Sequence, residues 1–132
     1  MDRLFLDANA LFSAAYRADA AVAKLWALPS ATLVTSRYAV VEAERNLDRA
    51  DQLERLTALL AGVTILADSM DTPLGERVVL PEKDVPILAA AVNGACTHLI
   101  TGDVRHFGPY FGKTVAGVLV LLPAEYLGLQ RS

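Results

Sequence analysis

Four short runs constrain this chain more than anything else in it: RLFLD (3–7), TLVTS (32–36), THLIT (97–101) and GVLVLL (117–122). Each is close to continuously apolar, without the alternation of a half-solvated strand. Strands of that kind need cover on both faces, which a parallel sheet between helical layers provides. VTIL (63–66) is a fifth candidate. Of the 132 residues, 54% are hydrophobic and 20% charged, enough apolar material for one large core. A single domain spanning 1–132 is expected.

Helical patterns separate the runs. ANALFSAAYRADAAVAKLWAL (8–28) reads as two helices meeting near Asp19. RYAVVEAERNLDRADQLERLTALLAG (37–62) reads as two more, stopping at Gly62. DVPILAAAVNGA (84–95) has Asp84 as N-cap, Pro86 in its first turn and Gly94 as its stop. PAEYLGL (123–129) reads as a last helical turn or two, and residues 68–83 as a loop or short helix. Strands alternating with helices imply right-handed crossovers. The fold class expected is α/β, a three-layer α/β/α sandwich on a parallel sheet of about five strands.

Several function classes fall away. A net charge of −3 argues against a broad basic surface for nucleic acid, though not against a local basic rim or an acidic site that works through metal ions. The lone cysteine, Cys96, lies in apolar NGACTHLI and reads as a buried structural thiol. His98 falls in an expected buried strand and reads as a core or edge histidine. The start, MDRLFL, has no signal-peptide layout, and TVAGVLVLLPA (114–124) is too short to span a bilayer. A soluble cytoplasmic protein without membrane contact is expected. The apolar stripe AVAKLWAL (21–28), with Trp26, reads as core, with a homodimer surface as the alternative.

The acids stand where ligands bind. Open parallel sheets take their ligands beyond the carboxyl ends of the strands. Asp7 ends the first run, and Asp103 follows THLIT in the turn TGD. Ser36 ends the second run, and the helix after it carries Glu42 and Glu44. Asp84 opens the helix that leads into THLIT. Aspartates are also favoured as caps and turn formers, so each alone has an ordinary explanation. With Val40, Ala43 and Leu47 as the buried stripe, Glu42 and Glu44 flank it on opposite sides, and either reaches the strand ends.

Together these stretches are similar to the PIN-domain family. LFLDANALFSA (4–14) resembles the family's opening strand, acid, and helix; TSRYAVVEAERNL (35–47) resembles its Ser followed six residues later by an acid. LPEKDVPILAAAVNGACTHLITGDVRHFG (80–108) resembles its acid-capped Ala/Leu helix and strand ending in Thr-Gly-Asp, and VLLPAEYL (120–127) its last strand and short helix. The resemblance selects Glu42 over Glu44 and implies an acidic quartet of Asp7, Glu42, Asp84 and Asp103. It also implies a metal-dependent endoribonuclease, similar to VapC-like toxins of type II toxin–antitoxin pairs, with an antitoxin protein as partner. A catalytically inactive scaffold binding RNA or protein is the alternative. Some relatives carry a further acid after Thr-Gly-Asp, where this chain has Val104, Arg105, His106 and Phe107. The number of ions therefore stays open.

Crowded carboxylates repel unless a cation joins them, and an all-oxygen set suits Mg²⁺ or Mn²⁺. Asp7 and Asp103 are expected as the main ligands, with Glu42 and Asp84 holding a second ion or orienting water. Asn9, Ser36 and Thr101 are expected as supports: Asn9 binding a metal-held water or fixing Asp7, Ser36 capping its helix in preference to contacting the site, Thr101 orienting Asp103. Arg37, Lys83, Arg105 and His106 form a candidate cationic rim for single-stranded or structured RNA. Other strand-end chemistries fit poorly. DANAL lacks the second carboxylate of a dehalogenase-like phosphatase, no Lys follows the fifth run as in receiver domains, and GxxxxGK is absent.

Overall fold

Strand β1 (Asp2–Leu6) takes the middle of a six-stranded sheet because its Leu4, Phe5 and Leu6 bury completely on both faces. The computed structural model describes residues 1–68, 74–75 and 78–130. On one side of β1 lies β2 (Ala31–Ser36), then β3 (Thr64–Leu66). On the other side come β4 (His98–Ile100), β6 (Val118–Leu121) and finally β5 (Thr114–Val115). Five strands are mutually parallel, and β5 pairs antiparallel to β6 at the edge. This is a PIN-like α/β/α fold.

Helix α1 (Ala8–Tyr16) crosses from β1 to β2, and α2 (Arg37–Asn46) and α3 (Ala50–Leu60) pack with it. Polar side chains lock this group. Arg55 donates to the Ala15 carbonyl (2.6 Å), Gln52 to that of Tyr16 (3.4 Å) and the Trp26 indole to that of Leu59 (2.9 Å). These carbonyls lie at helix C-termini, where no intrahelical partner exists. Trp26 is thus part-buried against the core, in keeping with the core reading of its stripe.

Helix α4 (Val85–Asn93) packs on β2 and β4, and Pro86 through Ala91 are all buried. Its N-cap residue, Asp84, makes no side-chain capping bond. A missing cap costs about 1 kcal/mol. Burying Ile87 and Leu88 returns roughly 1.5–3 kcal/mol each, so the helix forms without it. The Asp84 carboxylate is left free for another use.

Two expectations change. The second helix of residues 8–28 is a 3-10 helix, Ala21–Ala27, whose burial peaks at Leu25 with Val22 and Leu28 partly covered. That three-residue spacing stacks side chains along one ridge, which suits 3-10 geometry. A hairpin turning at Ala116 and Gly117, both at positive φ (51° and 86°), adds strand β5 ahead of the run 117–122 read as one strand. Of residues 68–83, positions 69–73 and 76–77 lie outside the described residues; the rest is irregular until a 3-10 turn at Glu82–Asp84. Two short helices complete the chain: α5 (Val104–Phe107) and α6 (Pro123–Leu129).

Candidate active site

Chain order sets the location. From β1 the sheet grows through β2 and β3 in one direction, and from β4 it grows in the other. Neighbouring crossovers therefore leave the sheet on opposite sides between β1 and β4, opening a crevice beyond their carboxyl ends. A cleft of about 320 Å³ opens there, and Asp7, Asn9, Glu42, Lys83, Asp84 and Asp103 line it.

Asp7 follows β1 and is held from three sides. Its Oδ1 accepts from the Ala8 amide (2.6 Å), and its Oδ2 from the Thr101 hydroxyl (2.8 Å) and the Asn9 amide group (3.3 Å). Thr101 in turn accepts from the Asp103 amide (3.1 Å), while Asn9 Oδ1 accepts from the Gly102 amide (2.7 Å). The turn after β4 is thereby latched to the turn after β1. Asp7 is 5% exposed, and burial pushes its carboxyl up from 3.8 to about 6. The Thr101 and Ala8 bonds oppose that shift, and the Asp84 and Asp103 charges add to it.

Asp84 and Asp103 meet across the cleft at His106. Asp103 caps α5, its Oδ1 accepting from the His106 amide at 3.1 Å. One turn of α5 then swings the His106 ring back over the cap, since i and i+3 share a helix face. His106 Nδ1 stands 2.8 Å from Asp84 Oδ2 and 2.9 Å from Asp103 Oδ2. Asp84 Oδ2 and His106 Nδ1 are nonetheless buried atoms without a hydrogen bond. Burial also raises the Asp84 carboxyl, against the pull of His106.

Glu42 enters from α2. The buried stripe of that helix runs through Ala39, Ala43 and Leu47, with Val40 only partly covered. Compared with the stripe expected from sequence, the helix is rolled toward Ala39, and Glu42 is one turn on from Ala39. Glu42 lines the cleft, whereas Glu44 is exposed and does not. Ser36 caps α2, accepting from the Ala39 amide at 3.2 Å.

The other expected residues divide. Lys83 lines the cleft; Arg105 is exposed on α5; Arg37 lines a different depression with Ile65 and Asp68. His106 is not on a cationic rim: the short α5, unread in the sequence, draws it in among the acids. Asp84, expected as a cap, caps nothing. Three residues went unread at this site. Phe12 and Asn46 line the cleft, at i+3 from Asn9 and i+4 from Glu42, so helical spacing was the available signal. Tyr38 donates its hydroxyl to the Lys83 carbonyl (2.7 Å) and ties α2 to the Asp84 turn. His98 stands apart from the cleft, its Nδ1 2.7 Å from the Thr97 hydroxyl and its ring edge-on to Tyr126.

The donors fit a divalent cation. Four carboxylates line one cleft, two have raised affinity for protons because they are buried, and one buried carboxylate oxygen lacks a hydrogen bond. Among the described residues, ligand atoms of Asp84, Asp103 and His106 lie within 4.8 Å of one another. This tight group centres on Asp84 and Asp103, not on the expected pair of Asp7 and Asp103.

Fold and cleft together define a PIN-like α/β/α protein with an acidic crevice at its switch point. No protein-family model matches the chain, and no curated protein does. A chain in the crystal structure of VapBC2 from Rickettsia felis, bound to a DNA fragment from its promoter, is similar in structure. The TM-score is 0.65 over 89% of this chain and 96% of that one, at 14% identity. That likeness concerns the fold. No helix among the described residues is long and apolar enough to cross a membrane.

Proposed function

We propose that this chain is a Mg²⁺- or Mn²⁺-dependent endoribonuclease and the toxin of a type II toxin–antitoxin pair. The convergence of Asp7, Glu42, Asp84 and Asp103 on one cleft, from four separate segments, carries the reading. An antitoxin partner is supported by the fold shared with a chain of a VapBC2 assembly.

In this reading Asp84 and Asp103 would hold the ion, and Asp7 would add a further oxygen ligand. When bound, the ion lowers the pKa of water and offsets charge on the phosphodiester. Thr101, Asn9 and the Ala8 amide fix the Asp7 carboxylate, so it needs no reorganisation when substrate arrives. Glu42, partly exposed on the cleft wall, orients the attacking water and takes its proton. Lys83 offsets backbone charge at the cleft mouth, with Arg105 beside it. Phe12 offers a ring on which an unpaired base can stack, which favours single-stranded RNA. Hydrolysis places the water oxygen on phosphorus and releases one ribose oxygen as an alcohol.

The test is purified protein on mixed single-stranded RNA with Mn²⁺, Mg²⁺ or excess EDTA. Cleavage is expected with either ion and absent in EDTA. Equal cleavage in EDTA, or none under any condition, overturns the reading.

A further inference from the structure

Three atoms crowd one point of the cleft: Asp84 Oδ2, Asp103 Oδ2 and His106 Nδ1. Hydrogen bonding does not account for their arrangement. A ring nitrogen carries at most one proton, and His106 Nδ1 makes a hydrogen bond with neither carboxylate oxygen. Asp84 Oδ2 and His106 Nδ1 face each other at 2.8 Å, buried, with no hydrogen bond to each other or to any other group. The spacing is, however, that of neighbours in a metal shell. Ligands at right angles, each about 2.1 Å from an octahedral ion, stand about 3.0 Å apart. The two measured nitrogen–oxygen separations are 2.8 and 2.9 Å.

We infer that His106 is a direct nitrogen ligand of the divalent ion, making this a mixed nitrogen–oxygen centre that favours Mn²⁺ over Mg²⁺. The inference rests on the metal-site reading above and deepens it. Mg²⁺ is hard and keeps oxygen ligands and water, whereas imidazole suits transition metals. The local fold positions the ring. Asp103 caps α5 through the His106 amide, so the residue that supplies a carboxylate also sets where the imidazole points. Loss of the ring should leave the carboxylates in place and change which ion they prefer.

Pulsed electron paramagnetic resonance of the Mn²⁺-loaded protein tests this directly, because a bonded imidazole nitrogen modulates the echo. The chain has only two histidines, and His98 is engaged with Thr97 and Tyr126 away from the cleft, so the signal has one source. The expected result is ¹⁴N modulation in the wild type, absent in His106→Gln. Calorimetry of the same variant should show the preference for Mn²⁺ over Mg²⁺ reduced by roughly tenfold, the scale of effects seen on altering a metal's surroundings. Mn²⁺ bound without nitrogen modulation overturns the inference and leaves the metal centre standing. No Mn²⁺ binding overturns both. The wild-type spectrum decides the matter even if His106→Gln fails to fold, and His106→Asn supplies a second variant.

Discussion

Asp7 shows what a buried carboxylate costs. Its folded-state value of about 6, against an ordinary 3.8, means that the folded chain holds this proton more tightly than the unfolded chain. Protonation therefore favours folding, and that contribution fades as pH rises from about 4 to 6. Above that window the ionised, metal-free protein carries a penalty of about 3 kcal/mol. Asp7→Asn should flatten the pH dependence of denaturant stability between pH 4 and 6 and raise metal-free stability at pH 7, while Mn²⁺ raises that of the wild type. An unaltered pH slope in the variant would contradict this account of Asp7. The position of Asp7 was legible because it ends an apolar run, and Asn9, expected to fix it, does bond its Oδ2. The place of His106 was not legible. It depends on a four-residue helix whose only periodicity is one i to i+3 contact.

At the scale of elements, long apolar segments announced themselves and short ones did not. The strands β1 and β2 fall within a residue or so of their runs, because complete burial leaves little choice of residue. The β5–β6 hairpin escaped notice because its two-residue turn holds Ala116 and Gly117 where Asn-Gly or Asp-Gly is the usual signal. Ala116 sits at φ 51°, a left-handed conformation that an alanine adopts at a cost of order 1 kcal/mol. Ala116→Asn should therefore stabilise the protein by about 0.5–1 kcal/mol, seen as a higher denaturation midpoint at unchanged slope. A loss of stability would mean the turn is not strained as described. Helix α2 teaches a similar lesson: periodicity placed Glu42 and Glu44 symmetrically, and only packing against the rest of the molecule rolled Glu42 into the cleft.

For the whole molecule, the order of strands decides where chemistry is possible. Reversal of sheet growth at β1 and β4 opens one crevice, and acids from four segments line it, a convergence visible in the sequence only as acids placed near strand ends. The cationic rim was less legible, since exposed charges are not placed by packing: Lys83 lines the cleft, while Arg37 borders another depression. With a net charge of −3, the proposed reading requires a few local cations to attract RNA. Lys83→Ala should lower the salt dependence of RNA binding by about one ion released, and Arg37→Ala should leave it unchanged. Equal effects from both would place the RNA path elsewhere. The central claim is that these acids form a metal centre that cleaves RNA. Its most direct test is the single-turnover cleavage rate of single-stranded RNA in Mn²⁺ by wild type and Asp103→Asn, with circular dichroism confirming the fold. The account predicts a loss on the order of 10³-fold, the several kcal/mol expected from disabling such a centre. Rates equal within experimental error, in a folded variant, would contradict it.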